Sequence, residues 1–299
     1  MHGKDLKVSS SHIALVIASL GLSYTLIFST LLKSCGVSSL QQVFCRITFS
    51  LPTIFLLIKG KFRLRKDDVV HFMLRGMVFS AFLLSALSSI AFGCPVPITT
   101  GLVNTRLFFT ALIAFIFRQE KTSFKKLLVI FMGIFGAFIT SGINLQHISF
   151  LNVNFGVFLA LLAGFLYALY LFLKRKKKDY SPMQALFNTF LFAAPFTPIF
   201  GLILKFFTEN PLLIGFIAPN FYQLTLLILI TVFSTIMPYT LLNYVNNIEV
   251  LPTVEGTILL LDPALHIVWA TIILGQYVSQ LQYFGIALIL LSAFIMLNS

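Results

Sequence analysis

TVEGTILLLDPALHIVWATIILGQY, residues 253 to 277, has the length of a membrane-spanning helix but contains Glu255, Asp262 and His266. At the centre of a bilayer an ionisable side chain costs about 2.5 kcal/mol or more, so three of them in one span need a reason. Their spacing of seven and then four residues predicts that all three lie along one stripe of a helix and face a shared interior. Pro263 carries no backbone N–H and crowds the preceding turn, which predicts an irregular helix beside Asp262.

The composition places the chain in a membrane. Of its residues 58% are hydrophobic and 10% are charged, with a mean hydropathy of +0.97, whereas about 25% of the residues of soluble domains are charged. The net charge of +12 raises nucleic-acid binding as an alternative. Basic residues between apolar spans are better explained by membrane topology, so we expect no nucleic-acid partner. The cysteines, Cys35, Cys45 and Cys94, form neither a CxxC motif nor a ligand cluster, and we expect no metal and no cofactor.

Apolar runs long enough to cross about 30 Å of hydrocarbon occur ten times in the sequence. Short connectors separate them, which predicts an all-α integral membrane protein with almost no domain outside the lipid bilayer. The predicted spans are residues 12–32, 39–58, 70–92, 98–117, 126–143, 153–173, 182–205, 222–244, 254–275 and 280–297.

Lysine and arginine indicate the side on which each connector lies, because cytoplasmic loops carry an excess of them. With the N-terminus inside, the inner segments hold 16 basic residues and the outer segments two, Lys33 and Lys205. An even number of spans returns the C-terminus to the same side. We therefore expect both termini in the cytoplasm, and the protein in a bacterial or archaeal cytoplasmic (inner) membrane. The basic run from Lys174 to Lys178 is interpreted as a topological anchor, with a lipid or partner site as the alternative.

The chain also contains an internal repeat. SSLQQVFCRITFSLP at residues 38–52 aligns with SPMQALFNTFLFAAP at 181–195, and the same offset of 143 residues places Tyr24 on Tyr167. Two matches at one offset argue against chance. Each repeat then holds five spans. Because five is an odd number, the second copy enters the membrane in the opposite orientation, and such inverted repeats are typical of alternating-access transporters. The predicted organisation is a cytoplasmic tail at 1–11, two inverted five-helix repeats at 12–143 and 153–299, and a connecting loop at 144–152.

This pattern resembles the drug/metabolite transporter superfamily, in particular its EamA-type members, which have ten spans in two five-span repeats. The resemblance covers residues 12 to 297 and implies a membrane transporter. Family members often carry glutamate where this chain has Asp262 and Gln276, so the first position keeps a carboxylate and the second loses a charge. The matching pieces are Phe44-Cys45-Arg46, Phe117-x-x-Glu120-Lys121-Thr122, Leu261-Asp262-Pro263-Ala264 and Leu274-Gly275-Gln276.

Four charged residues lie well inside the predicted spans, namely Arg46, Arg106, Glu255 and Asp262. Such groups usually face the interior of a bundle and pair there with each other, with a polar cavity or with substrate. The alignment of the repeats places Arg106 opposite Asp262. One interpretation is a permanent ion pair that fastens the two repeats. The other is that Arg106 holds a carboxylate or phosphate through two hydrogen bonds, while Asp262 or Glu255 meets an amine.

Polar and aromatic neighbours complete the candidate site. The fourth predicted span offers a polar surface around Arg106, and the repeat relates two tyrosines symmetrically. Tyrosines in such bundles are mostly packing groups or interface anchors, and a lone histidine in a span is more often a packing group. The candidate substrate-binding residues are Arg106, Asp262, Arg46, Tyr24, Tyr167, Asn104 and Thr99, and the candidate coupling or gating residues are Glu255, Asp262 and His266.

The sequence favours a secondary transporter that moves a small polar metabolite, an amino acid or a related zwitterion, by alternating access. Proton coupling and exchange with a counter-substrate both remain open. The alternative cargo is a nucleotide-like or nucleoside-containing solute such as S-adenosylmethionine. A membrane-embedded enzyme is disfavoured, because the five histidines are scattered without catalytic spacing. A scaffold would not require charges inside the membrane.

Overall fold

The chain folds into α-helices, and no strand is present in the part of the chain that the structure describes. The computed structural model describes residues 2–92, 94, 96–118, 123–140, 155–176, 179–206, 209–246, 250–275 and 279–297. The predicted connecting loop 144–152 and Gln276 lie outside these residues. The helices are α1 (His2–Ser34), α2 (Ser39–Leu57), α3 (Val69–Ala91), α4 (Val96–Val103), α5 (Arg106–Ile116), α6 (Phe124–Thr140), α7 (Phe155–Lys174), α8 (Pro182–Lys205), α9 (Pro211–Ile214), α10 (Phe221–Thr231), α11 (Met237–Asn246), α12 (Pro252–Ile258), α13 (Leu261–Leu274) and α14 (Gln280–Leu297).

Eight segments of the described chain are long and apolar enough to cross a membrane. The predicted fold class, an all-α integral membrane protein, is confirmed. The helices α6 and α14, with 17 and 18 residues, correspond to the two predicted spans that are not among the eight. The count of ten spans and the inverted repeat therefore stay predictions. The eight segments are Ser10–Ser34, Ser39–Leu57, Lys66–Ser89, Thr99–Ile116, Phe155–Lys174, Pro182–Lys205, Phe221–Val245 and Pro252–Ile273.

The chain divides into two compact units, and the first consists of Met1–Leu84 and Leu173–Glu249. Within this unit α2 packs along α8, and α1 packs against α10 and α11. Gln41 of α2 donates to the carbonyl of Ile217 at 2.6 Å and accepts from the N–H of the same residue at 3.1 Å. These two bonds fasten the segment after α9 across the start of α2.

The second unit consists of Ser85–Phe172 and Val250–Ser299. Its most extensive helix pair is α6 with α14. A Cβ added to Gly136 of α6 would lie 2.9 Å from the carbonyl oxygen of Gly285 in α14, so the two backbones approach at a distance that only glycine allows. Close approach at small residues is a common way for helices to associate in lipid, where apolar burial drives little.

The fourth predicted span is interrupted in this unit. Asn104 and Thr105 separate α4 from α5, and their side chains donate to backbone carbonyls of the preceding turn at 2.8 and 2.6 Å. Side chains that bond to the local backbone compete with helical hydrogen bonds, so this polar pair favours an interruption. A Cβ on Gly164 of α7 would lie 2.9 Å from the Thr105 hydroxyl, so α7 packs directly against the interruption.

The ninth predicted span is interrupted too, between α12 and α13. Pro263 lies in the first turn of α13, where a proline ring is tolerated, but it cannot continue the hydrogen bonds of α12. The irregular helix predicted beside Asp262 is thus confirmed. The predicted single stripe assumes an unbroken helix, whereas Glu255 lies on α12 and Asp262 and His266 lie on α13.

Candidate functional site

Arg106 and Asp262 lie at the starts of the helices that follow the two interruptions. Nη2 of Arg106 is 3.3 Å from Oδ2 of Asp262, and it donates to the carbonyl of Leu259 at 2.8 Å. That carbonyl precedes Pro263 by four residues, so the proline cannot supply the N–H of a regular helix. It accepts from the backbone N–H of Asp262 at 3.2 Å as well. Arg106 therefore binds the carbonyl exposed by Pro263 and faces a carboxylate at the same time.

The ion pair between Arg106 and Asp262 is a loose one. Charge-assisted N–H···O bonds usually measure about 2.7–2.9 Å, which is shorter than the 3.3 Å observed here. The side chain of Arg106 is 4% exposed, whereas that of Asp262 is 21% exposed. The side chain of Asp262 is thus less buried than that of Arg106.

Further polar and aromatic groups surround Arg106. Its guanidinium carbon lies 4.6 Å from the centroid of the Tyr167 ring, which is a cation–π contact. Among the described residues no hydrogen-bond partner is present for three buried atoms: Nε of Arg106, Oδ1 of Asn104 and Oγ1 of Thr110. Buried polar groups are normally satisfied, and these three atoms belong to neighbouring residues at the interruption and in the first turns of α5.

The other residues predicted for this region take different positions. Thr99 is buried and accepts a hydrogen bond from the hydroxyl of Ser89 at 3.1 Å, so it serves the packing of α3 and α4. Glu255 is 1% exposed, which excludes a solvated position at the end of its helix. His266 is half-buried on α13, one turn beyond Asp262. The structure thus brings Arg106, Asp262 and Tyr167 into direct contact and places His266 on the helix of Asp262.

Arg46 belongs to the first unit, where it binds a π-helical turn, Val232–Ile236, between α10 and α11. Its Nη2 donates to the carbonyl of Ser234 at 3.0 Å and its Nε to the hydroxyl of Thr235 at 2.8 Å. Ser234 precedes Pro238 by four residues, so this carbonyl also lacks the donor that a regular helix would supply. Arg46 is 1% exposed. Its hydrogen bonds in this structure are therefore with a helix irregularity.

Tyr24, the predicted counterpart of Tyr167, also lies in the first unit. It is half-buried on α1, and its ring stacks on Phe28 with the centroids 5.8 Å apart. This contact is the aromatic packing that is expected of most tyrosines in a helical bundle.

Sequence reasoning missed two buried cations in the first unit. Arg75 of α3 is completely buried and donates to Oδ1 of Asn243 at 2.6 Å. Lys174, interpreted above as part of a topological anchor, is also completely buried and donates to the carbonyl of Leu242 at 2.6 Å. The signal for Arg75 was available, because it lies inside the predicted span 70–92. Nothing local distinguishes Lys174 from its basic neighbours.

Arg106 and Arg46 thus share one arrangement, in which an arginine donates to the carbonyl four residues before a proline. They differ in what else they meet, because Arg106 also faces Asp262 and the ring of Tyr167. No group of three or more His, Cys, Asp and Glu residues that could hold a metal ion occurs among the described residues. The Arg106–Asp262 region therefore offers one positive and one negative side chain at the two interruptions.

The fold and this region define an all-α integral membrane protein with an ion pair at two interrupted helices. Residues 154–298 match the model of the EamA-like transporter family, as the resemblance in the sequence implied. This match covers just under half of the chain, and the family that it indicates is one of membrane transporters.

No curated protein matches the chain. A solved crystal structure is similar over 96% of this chain and 96% of its own, with a TM-score of 0.76 and 13% sequence identity. At that identity the likeness shows the fold alone.

Proposed function

We propose that the protein is a secondary transporter that carries a small zwitterionic metabolite, an amino acid or a close relative, by alternating access. The observation that carries the proposal is the Arg106–Asp262 pair with its unsatisfied polar surroundings. A carboxylate on the solute would bind Arg106, whose planar guanidinium can donate two parallel hydrogen bonds. An ammonium group on the solute would bind Asp262.

The long distance between Arg106 and Asp262 supports a role in solute binding over a permanent ion pair that only links the two helices. A pair that only held helices together would gain most from short, fully satisfied hydrogen bonds. Here the contact is 3.3 Å, and Nε of Arg106 has no partner among the described residues. A solute carboxylate would satisfy Nε, and the Asn104 and Thr110 oxygens would accept from a solute donor.

The interrupted helices support the same proposal. Discontinuous helices line the substrate and ion sites of many secondary transporters, because the helix ends present free backbone groups and dipoles near the middle of the membrane. Both interruptions, at Asn104–Thr105 and at Leu259–Leu260, lie beside the ion pair. The predicted orientation, with both termini in the cytoplasm, is supported by the excess of basic residues in the inner connectors.

Coupling to protons is the finer part of the proposal, and Asp262 would carry the proton. It is partly accessible, and His266 lies one turn away on the same helix. In proteoliposomes Asp262→Asn should abolish uptake driven by a pH gradient and spare solute exchange. Uptake by this variant with an unchanged dependence on the gradient would exclude Asp262 as the proton carrier. Glu255→Gln makes the corresponding test for the buried carboxylate of α12.

Uptake of labelled solutes into proteoliposomes tests the cargo. We expect one or more amino acids to be taken up, and nucleotides and S-adenosylmethionine to be excluded. Uptake of a nucleoside-containing solute without uptake of any amino acid would favour the larger cargo. Failure to move any solute from either class, by protein that is folded and inserted, would contradict the proposal.

A further inference from the structure

A groove of about 480 Å³ lies on the first unit. Its lining is mostly apolar and comes from the end of α2, the start of α8 and the last turns of α11. This volume falls within the range of about 300–1,000 Å³ that is typical of ligand sites. The lining residues that matter here are Leu57, Ile58, Lys61, Met183, Leu241 and Tyr244.

The groove lies where three membrane-spanning segments end. The segment Ser39–Leu57 ends at the groove, Pro182–Lys205 begins there, and Phe221–Val245 ends one residue after Tyr244. Ends of apolar segments mark the boundary between hydrocarbon and water. Tyrosine is enriched at this boundary, since its ring is apolar and its hydroxyl is polar. The groove therefore opens at the depth of lipid head groups.

The connector that follows α2 places positive charge at this groove. Lys61 lines the groove, and its carbonyl accepts a hydrogen bond from Nε2 of Gln184 in α8 at 3.1 Å. Nδ2 of Asn188 holds the carbonyl of Arg63 at 3.0 Å. These bonds fix the connector on α8, so that Lys61 stays at the mouth of the groove.

The charge of the connector is only partly neutralised. In the described chain the ion pairs of this connector are those of Arg65, with Asp68 at 3.2 Å and with Asp179 at 2.6 Å. The other basic residues of the connector, Lys59, Lys61, Arg63 and Lys66, are exposed. An apolar groove at the membrane boundary with free cations at its mouth is complementary to an acyl chain that carries an anionic head group.

We propose that this groove binds an anionic phospholipid, with one acyl chain along Leu57, Ile58 and Leu241 and with the phosphate at Lys61. Basic residues near a membrane surface attract anionic lipids with about 1 kcal/mol each. The apolar lining adds contact with the acyl chain that a surface charge by itself does not offer. The lipid would bridge α2, α8 and α11 at one end of the first unit.

Lipid retention by the purified protein tests this site with defined probes. Delipidated protein is mixed with phosphatidylglycerol or with phosphatidylcholine of the same acyl chains, and the bound lipid is counted by native mass spectrometry. We expect tighter retention of phosphatidylglycerol by the wild type. Lys61→Gln should weaken it about fivefold, which corresponds to the loss of one lysine. Ile58→Trp, which fills the groove, should weaken retention of both lipids.

Lys125→Gln is the matched control, because Lys125 is an exposed lysine of the second unit. We expect it to retain phosphatidylglycerol like the wild type. Equal retention of the two lipids by the wild type would overturn the proposal. Equal losses in Lys61→Gln and Lys125→Gln would also overturn it, since they would indicate diffuse attraction to surface charge.

Discussion

The bond from Arg46 to the Ser234 carbonyl predicts a specific coupling between Arg46 and Pro238. Arg46→Ala deletes the donors at 3.0 Å and 2.8 Å from the π-helical turn. Ser234 is completely buried, so water does not replace the lost donor at its carbonyl. Leaving that carbonyl unsatisfied should lower the free energy of unfolding by about 1–3 kcal/mol. Pro238→Ala in the same chain returns a backbone N–H four residues after Ser234. The second change should therefore remove much of the loss caused by the first.

A double-mutant cycle isolates this effect from two larger ones. The cost of burying the guanidinium charge is removed by Arg46→Ala whether or not Pro238 is changed, so it cancels in the cycle. The gain of replacing a proline inside a helix, up to about 3 kcal/mol, cancels in the same way. The remaining coupling between the two positions should be about 1–2 kcal/mol, with the double variant more stable than the sum of the single variants.

Unfolding in mixed micelles, followed by helical circular dichroism as the fraction of sodium dodecyl sulfate rises, measures the four free energies. Pro198→Ala is the matched control, because Pro198 is another proline inside a helix of the same unit. Arg46→Ala and Pro198→Ala should be additive. A coupling between Arg46 and Pro238 within about 0.3–0.5 kcal/mol of zero, which is the usual scatter of additivity, would refute the reasoning.

Two other predictions concern stability and use the same unfolding assay. Tyr180→Phe removes the hydroxyl that donates to the carboxylate of Asp68 at 2.7 Å. Since Asp68 is 2% exposed, we expect the free energy of unfolding to fall by about 1–3 kcal/mol. The control Tyr222→Phe should be neutral, because Tyr222 is 52% exposed. Equal stabilities of the two variants would contradict this prediction. Gly136→Ala places a Cβ 2.9 Å from the Gly285 carbonyl oxygen and should destabilise the α6–α14 pair by about 1–3 kcal/mol through overpacking. An unchanged unfolding midpoint would show that the two helices can separate without cost.

Sequence reasoning found the central pair because its signals were local or repeated. Charges inside apolar spans are rare enough to be noticed singly, and the alignment of the internal repeats places Arg106 opposite Asp262. Pro263 indicated the irregular helix, since proline removes a hydrogen bond wherever it occurs in a helix interior. The structure places Arg106 and Asp262 in contact, as that alignment predicts.

The interruption at Asn104 and Thr105 was not foreseen, although its cause is visible in the sequence. Neither residue breaks a helix by itself, and the interruption depends on their side chains bonding to the preceding carbonyls. The continuous stripe predicted from Glu255 to His266 assumes an unbroken helix, and the structure has an interruption there. A period of 3.6 residues holds only while the helix is unbroken, so one interruption changes the face of every residue beyond it.

Long-range contacts decided the remaining differences. Arg46 was predicted as a candidate substrate-binding residue, and its hydrogen bonds go to residues 188 and 189 positions away in the chain, which no local pattern indicates. Lys174 is buried because the carbonyl of Leu242, 68 positions away, accepts its hydrogen bond. Charge pattern along the sequence distinguishes a basic run from an apolar one, but it does not show which lysine turns inward.

Binding of the transported solute to Arg106 and Asp262 is the central claim, and ligand-induced thermal stabilisation tests it most directly. The metabolite that most raises the melting temperature of the wild type is titrated against Arg106→Gln, Asp262→Asn and Arg75→Gln. The last is the matched control, because Arg75 is a buried arginine of the other unit. Each of the first two variants should bind at least about tenfold more weakly, since each loses a charged hydrogen bond of about 1.5–3 kcal/mol, and the control should bind like the wild type. Wild-type affinity in both Arg106→Gln and Asp262→Asn would contradict the claim.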